Sequence, residues 1–176
     1  MGNIFMKGSH HVFTWDKLGD IKGGREDLGE EVPVLVYRLM EYSMNNVLFD
    51  EFGEEKADEL FRKAGHLAGS EYAKNVLPLD SDLDTFLLTL QQNLRELKIG
   101  ILRMEDMDET NGQFILTVAQ DLDCSGLPPT DEVVCNYDEG FIAGIMDTYT
   151  GKTYEVREVD CWANGARVCR FRGEPI

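Results

Sequence analysis

Cys135, Glu158, Cys161 and Cys169 follow one another at spacings of 23, 3 and 8. Three soft thiolates and one carboxylate suffice to close a tetrahedral shell around Zn²⁺. A chain that uses them so must bring a helix mouth, a strand end and a hairpin tip to one point. Cys161 and Cys169 flank Trp162-Ala163-Asn164-Gly165-Ala166, with Asn-Gly turn chemistry between two strand-like runs. Glu158 ends the first run, 153–159, and Cys135 stands where a helical pattern opens. A strict two-residue turn at Asn164-Gly165 would leave Cys161 and Cys169 on opposite faces of the hairpin. Shared ligation therefore requires β-structure to break at about Val159 and an irregular loop beyond it. Two cysteines eight residues apart also fit a hairpin disulfide, and buried free thiols are a third possibility. Cys124, in Asp123-Cys-Ser-Gly-Leu-Pro-Pro, stands apart from the trio and reads as a free thiol.

The rest of the chain alternates between two hydrophobic periods. Pro33 opens a helix whose apolar face runs through Val34, Tyr37, Leu39, Met40, Met44, Val47 and Leu48 to a stop at Phe52-Gly53. A second helix spans 54–76, with Gly65 and Gly69 inside it; each costs about 1 kcal/mol relative to Ala, which points to close helix–helix contact. His66 between them reads as a satisfied side chain rather than a ligand. Asp80-Ser81-Asp82 caps a third helix over 83–97. The period then falls to two: 101–107 and 113–119 are neighbouring antiparallel strands joined at Asn111-Gly112. A fourth helix covers 131–148, its buried stripe marked by Phe141, Ile145 and Met146. Its Gly140 and Gly144 suggest a helix lying close on a sheet. The closing hairpin completes the order α-α-α-β-β-α-β-β, an α+β domain with an antiparallel sheet covered by helices. Residues 1–28 form an N-terminal segment, with a short strand at 12–15 and a loop at 19–29, and residues 29–176 form the single domain. Adjacent His10 and His11 on an extended segment point to opposite faces, so they do not make a metal pair.

Composition excludes several functions. A formal charge of −16 repels phosphate backbones and anionic membranes, so the chain is not expected to bind nucleic acid directly or to sit on a membrane. No apolar stretch approaches the roughly 20 residues of a membrane span, and the first residues lack a signal-peptide core. A cytoplasmic location follows as the expectation, and reduced thiols there favour metal over disulfide. Three histidines, no Gly-x-Ser-x-Gly and no phosphate-cradling loop leave little from which to build an enzyme.

The stretch Cys135-Asn-Tyr-Asp-Glu-Gly140-Phe-Ile-Ala-Gly144-Ile145, then Gly151, then Glu158-Val-Asp-Cys161-Trp-Ala-Asn-Gly165-Ala-Arg-Val-Cys169-Arg-Phe171 resembles the 4-vinyl reductase domain signature. That family includes the effector-binding domains of phenol- and xylene-responsive transcription activators. The resemblance implies a ligand-binding fold shared with vesicle-tethering (TRAPP-like) subunits. It also implies structural Zn²⁺ on Cys135, Glu158, Cys161 and Cys169, because in the aromatic sensors a Cys, a Glu-x-x-Cys and a Cys eight residues on hold zinc. A shell closed by four protein donors has no position for an activated water, which makes such a metal structural.

The function implied is a small-molecule-binding, sensory domain that recognises an apolar or aromatic ligand. Candidate pocket walls are Phe86, Leu90, Phe114, Leu116, Phe141, Ile145 and Tyr149. The phenol sensors grip the hydroxyl with a His and a Trp; Phe86 and Phe114 stand near those positions here, which points to a hydrocarbon or lipid-like ligand. The resemblance further implies a homodimer, and output through a separate partner protein. Two other functions fit the family: an enzyme or accessory factor acting on a tetrapyrrole vinyl group, and an assembly scaffold.

Overall fold

A computed structural model of the chain describes residues 12–176, and the chain falls in two compact units, 1–31 and 32–176. In the first unit a 3₁₀ turn, Trp15–Leu18, precedes a single helical turn, α1 (Ile21–Gly24). The strand expected at 12–15 does not form: the Thr14 carbonyl accepts the Lys17 N–H at 3.0 Å and starts the turn instead. The loop expected over 19–29 is in part helical, because the Asp20 carboxylate accepts the Gly23 N–H at 2.9 Å and caps α1. His10 and His11 lie outside the described residues.

The second unit has the order read from the sequence. Helices α2 (Val34–Phe52), α3 (Glu54–Val76) and α4 (Leu83–Glu96) precede strands β1 (Ile101–Asp108) and β2 (Gln113–Ala119). Helix α5 (Asn136–Thr150), strand β3 (Tyr154–Asp160), a 3₁₀ turn (Trp162–Asn164) and strand β4 (Cys169–Pro175) complete it. The four strands form one antiparallel sheet ordered β1-β2-β4-β3. Local chemistry accounts for the boundaries. Pro33 precedes α2, and Gly53, at φ 81°, separates it from α3. The Asp82 side chain accepts the Thr85 N–H at 2.9 Å and caps α4.

Helix α5 starts at Asn136, five residues later than its hydrophobic pattern suggested. Asp131 has φ 63°, outside the helical region, and Cys135 is the non-helical cap. The β1–β2 connection is wider than a two-residue Asn-Gly turn. Asp108 Oδ1 accepts the N–H groups of Thr110 and Asn111, at 2.9 and 3.1 Å, and folds the loop back on itself.

Helices α3 and α5 touch backbone to backbone. A Cβ on Gly140 would lie 1.9 Å from the Arg62 carbonyl oxygen, and one on Gly65 would lie 2.0 Å from that of Tyr137. The close partner of Gly140 and Gly144 is therefore helix α3, not the sheet as their spacing suggested. The core lies on the sheet face that carries Phe114, Leu116 and Val118 of β2 with Cys169 and Phe171 of β4. Phe86, Leu90 and Leu94 of α4 and Ile145 and Met146 of α5 are buried with them. Full burial of each such side chain contributes roughly 1.5–3 kcal/mol. Helix α2 differs, because none of its residues is buried. Leu35, Leu39 and Met40 are 67%, 62% and 59% exposed, so its apolar stripe does not serve this core. Among the described residues no helix is long and apolar enough to cross a membrane.

Candidate metal centre

Strand pairing positions the first sulfur. Cys169 opens β4 opposite Val118, on the face that also carries Phe171, so its side chain is buried. Glu158 pairs with Phe171 and shares that face, and the register then shifts between Glu158 and Asp160. The shift falls at Val159, where the ligand spacing required a break. Beyond it Cys161 caps the 3₁₀ turn, its backbone N–H donating to Asn164 Oδ1 at 3.1 Å. Its carbonyl accepts the Ala166 N–H at 3.0 Å, and Gly165 takes φ 94°. Asn164 and Gly165 thus form one end of an irregular loop that turns Cys161 inward. Cys135 is the cap of α5, where the aligned peptide dipoles favour a thiolate.

A fourth sulfur joins these three. Asp121 Oδ1 accepts the N–H groups of Asp123 and Cys124, at 2.9 and 3.2 Å, and closes a tight loop with Cys124 on its inner side. The donor atoms of Cys124, Cys135, Cys161 and Cys169 all lie within 4.8 Å of one another, every one of these residues buried. Cys135 Sγ is 3.8 Å from Cys161 Sγ and 3.9 Å from Cys169 Sγ, and Cys124 Sγ is 3.1 Å from Cys169 Sγ. A Zn–S bond of roughly 2.3 Å sets tetrahedral S···S edges of roughly 3.8 Å. The first two separations meet that value and the third is shorter. All four thiols are free of disulfides. The quartet is therefore a group of buried cysteines that can hold a metal ion.

Electrostatics favour a cation here. Hydrogen bonding among the sulfurs, that from Cys124 first, holds the Cys161 thiol far below its ordinary range, and pushes Cys135 far above it. Such a quartet carries one negative charge on its own, and more require a counter-ion. The surroundings are also acidic. Burial pushes Glu158 up to about 8 and Asp123 up to about 6, and raises Asp121 and Asp138. Oxygens of Asp121 and Asp138 approach the Cys135 sulfur within the same 4.8 Å limit.

Glu158 lies beside the quartet. Its Oε2 accepts the Cys135 backbone N–H at 3.0 Å, while its Oε1 is buried without a hydrogen-bond partner. Reading the sequence missed Cys124, since a loop closed by an aspartate side chain leaves no hydrophobic period. A signal was present in Asp121 three residues before Cys124, with Gly126 following; Gly126 adopts φ 92°.

The structure stacks two expected pocket residues, Phe86 and Tyr149, with ring centroids 3.8 Å apart. Leu90, Phe114, Leu116 and Ile145 are buried, and Phe141 instead turns toward Tyr72 and Tyr137. An open depression of about 410 Å³ is lined by Asp82, Met107, Tyr149 and Tyr154 among others; of the expected pocket walls it includes Tyr149. His66 Nε2 meets Asp147 Oδ2 at 2.8 Å across the α3–α5 contact.

Residues 114–175 match the 4-vinyl reductase domain. All four cysteines and Glu158 lie inside that matched segment. Over the longer chain, three solved structures share the fold. The phenol-responsive sensory domain of the transcription activator PoxR, with phenol, is 17% identical with a TM-score of 0.64, over 84% of this chain and 76% of that one. A vinyl-4-reductase family protein from Methanocaldococcus jannaschii is 13% identical with a TM-score of 0.61, over 97% and 99%. Trafficking protein particle complex subunit 3 from Naegleria fowleri, covalently bound to palmitic acid, is 8% identical with a TM-score of 0.66, over 81% and 95%. The 4-vinyl reductase resemblance and the α+β arrangement read from the motif are therefore both met.

Proposed function

We propose that the chain is a zinc-stabilised small-molecule-binding domain with a sensory role, its ligand apolar or aromatic. The observation that carries this reading is the buried sulfur quartet inside a 4-vinyl reductase segment. Zinc would be held by Cys135, Cys161 and Cys169, with Glu158 or Cys124 as fourth donor. Its chemistry would be to neutralise the thiolates and join α5, β3 and β4. With four protein donors no water is activated. The ligand would lie against Phe86, Leu90, Phe114, Leu116, Ile145 and Tyr149, with Phe141 at the α3 side. PoxR's phenol and the trafficking subunit's palmitic acid support an apolar occupant.

Residues 29–176 would form the ligand-binding domain, working in a reducing, cytoplasmic setting and signalling to a separate protein. A second copy would cover the apolar stripe of α2. Nineteen residues at roughly 1.5 Å each give a helix long enough for an interface. Native mass spectrometry of gently purified, reduced protein tests the whole reading. One zinc ion per chain, a bound small molecule and a dimer mass are expected. A metal-free monomer with an empty core refutes it, and a co-purifying tetrapyrrole would favour the reductase alternative.

A further inference from the structure

We infer that Cys124, and not Glu158, is the fourth metal ligand, and that helix α2 positions it, so that filling the metal site and seating α2 are one linked event. The inference rests on the metal reading above and assigns its geometry.

Glu158 is already engaged: Oε2 accepts the Cys135 N–H at 3.0 Å, an outer contact that orients a ligand-bearing residue. Cys124 by contrast points its sulfur into the quartet, 3.1 Å from Cys169 Sγ. The loop that bears it receives side chains from three positions on α2. Arg38 donates through Nε to the Leu122 carbonyl at 2.8 Å and through Nη2 to the Ser125 carbonyl at 2.9 Å, bracketing Cys124. Tyr37 donates to Asp123 Oδ1 at 2.9 Å, and Tyr42 to the Asp123 carbonyl at 3.0 Å. From the opposite direction the Trp162 indole N–H meets the Leu127 carbonyl at 3.0 Å. The same short loop is thus held by α2 and by the turn after Cys161. No residue of α2 is buried in the core, so these polar contacts are a principal tie of α2 to the sheet. A cation on Cys124 would fix the loop, and through it the helix.

The test uses the full reduced chain loaded with Zn²⁺ or with Co²⁺. X-ray absorption at the zinc edge counts sulfur neighbours, and sulfur-to-cobalt charge-transfer intensity gives an independent count. Four sulfurs are expected in the parent chain and in Glu158→Gln, and three in Cys124→Ser. Arg38→Ala keeps four sulfurs but binds roughly 10–100-fold more weakly. Arg38→Lys recovers only part of that loss, since one ammonium cannot span both carbonyls as the guanidinium fork does. Hydrogen exchange of the α2 amides is expected to slow on adding Zn²⁺, and to slow less in Cys124→Ser. Three sulfurs and one oxygen in the parent chain, with the oxygen lost in Glu158→Gln, overturns Cys124 as ligand. Exchange in α2 that ignores Zn²⁺ overturns the linkage. Failure to take up either ion overturns the metal reading itself and this inference with it.

Discussion

Glu139 Oε1 accepts the backbone N–H of Glu158 at 2.7 Å, so the first turn of α5 holds β3 at the residue whose carboxylate steadies Cys135. Glu139 is 5% exposed and its Oε2 also meets Arg62 and Arg157, each at 3.2 Å. Glu139→Ala would leave the Glu158 amide buried without an acceptor, at a cost of about 1–3 kcal/mol. A fall in the urea midpoint of that size is expected; an unchanged midpoint would show that water replaces the carboxylate.

The glycine contact between α3 and α5 gives a prediction opposite to helix propensity. Gly140→Ala should gain about 1 kcal/mol from propensity alone. The added methyl would lie 1.9 Å from the Arg62 carbonyl oxygen, and backbone cannot rotate away. Overpacking of about 1–3 kcal/mol or more should win, lowering the thermal midpoint.

Charge at α2 makes stability depend on pH. Burial first, then the nearby Asp123 charge, pushes Glu41 from its ordinary 4.5 up to about 8, with Asp121 raising it further and Arg38 lowering it. Between these values the folded chain keeps a proton that the unfolded chain has released. The stability this group contributes is complete below its unfolded value and is lost as pH rises through about 8. Urea midpoints should therefore decline from about pH 5 to about pH 8.5, and Glu41→Gln, at equal metal occupancy, should flatten that slope.

Removing the metal under reducing conditions should lower stability strongly. A free cation held a thousandfold above its dissociation constant stabilises the folded state by about 4 kcal/mol. Chelation should lower the thermal midpoint accordingly, and re-addition of zinc should restore it. A midpoint indifferent to both steps would count against a resident ion.

The exposed stripe of α2 makes its own prediction. Leu39 is 62% exposed, so Leu39→Glu should leave the fold intact while placing charge within any α2 interface. Sedimentation should shift from dimer to monomer with unchanged circular dichroism.

Regular elements were legible in the sequence because each repeats one physical rule. Phe86, Leu90 and Leu94 announce a buried helix face by their spacing, and Phe114, Leu116 and Val118 announce a strand in the same way. The three late cysteines were legible from spacing and from the 4-vinyl reductase resemblance. Cys124 was not, because its approach depends on Asp121 folding a loop and on Arg38, 86 residues earlier, gripping it. The start of α5 was misread because Asp131 to Val134 continue a helix-compatible composition, whereas Asp131 adopts φ 63°. Gly140 and Gly144 signalled a close neighbour without naming which surface it was.

Where α3 and α5 meet at their glycines, main chain rests on main chain with no side-chain spacer between. Nothing the size of a guest molecule can be admitted along that seam without prising the two rods apart. Room for a guest must come from the opposite flank of α5, toward α4 and the sheet, where it can be enlarged by trimming Phe86 or Leu90. The seam would then act as a fixed hinge line, and diversity among relatives in what they hold would be written on the flank that faces away from it.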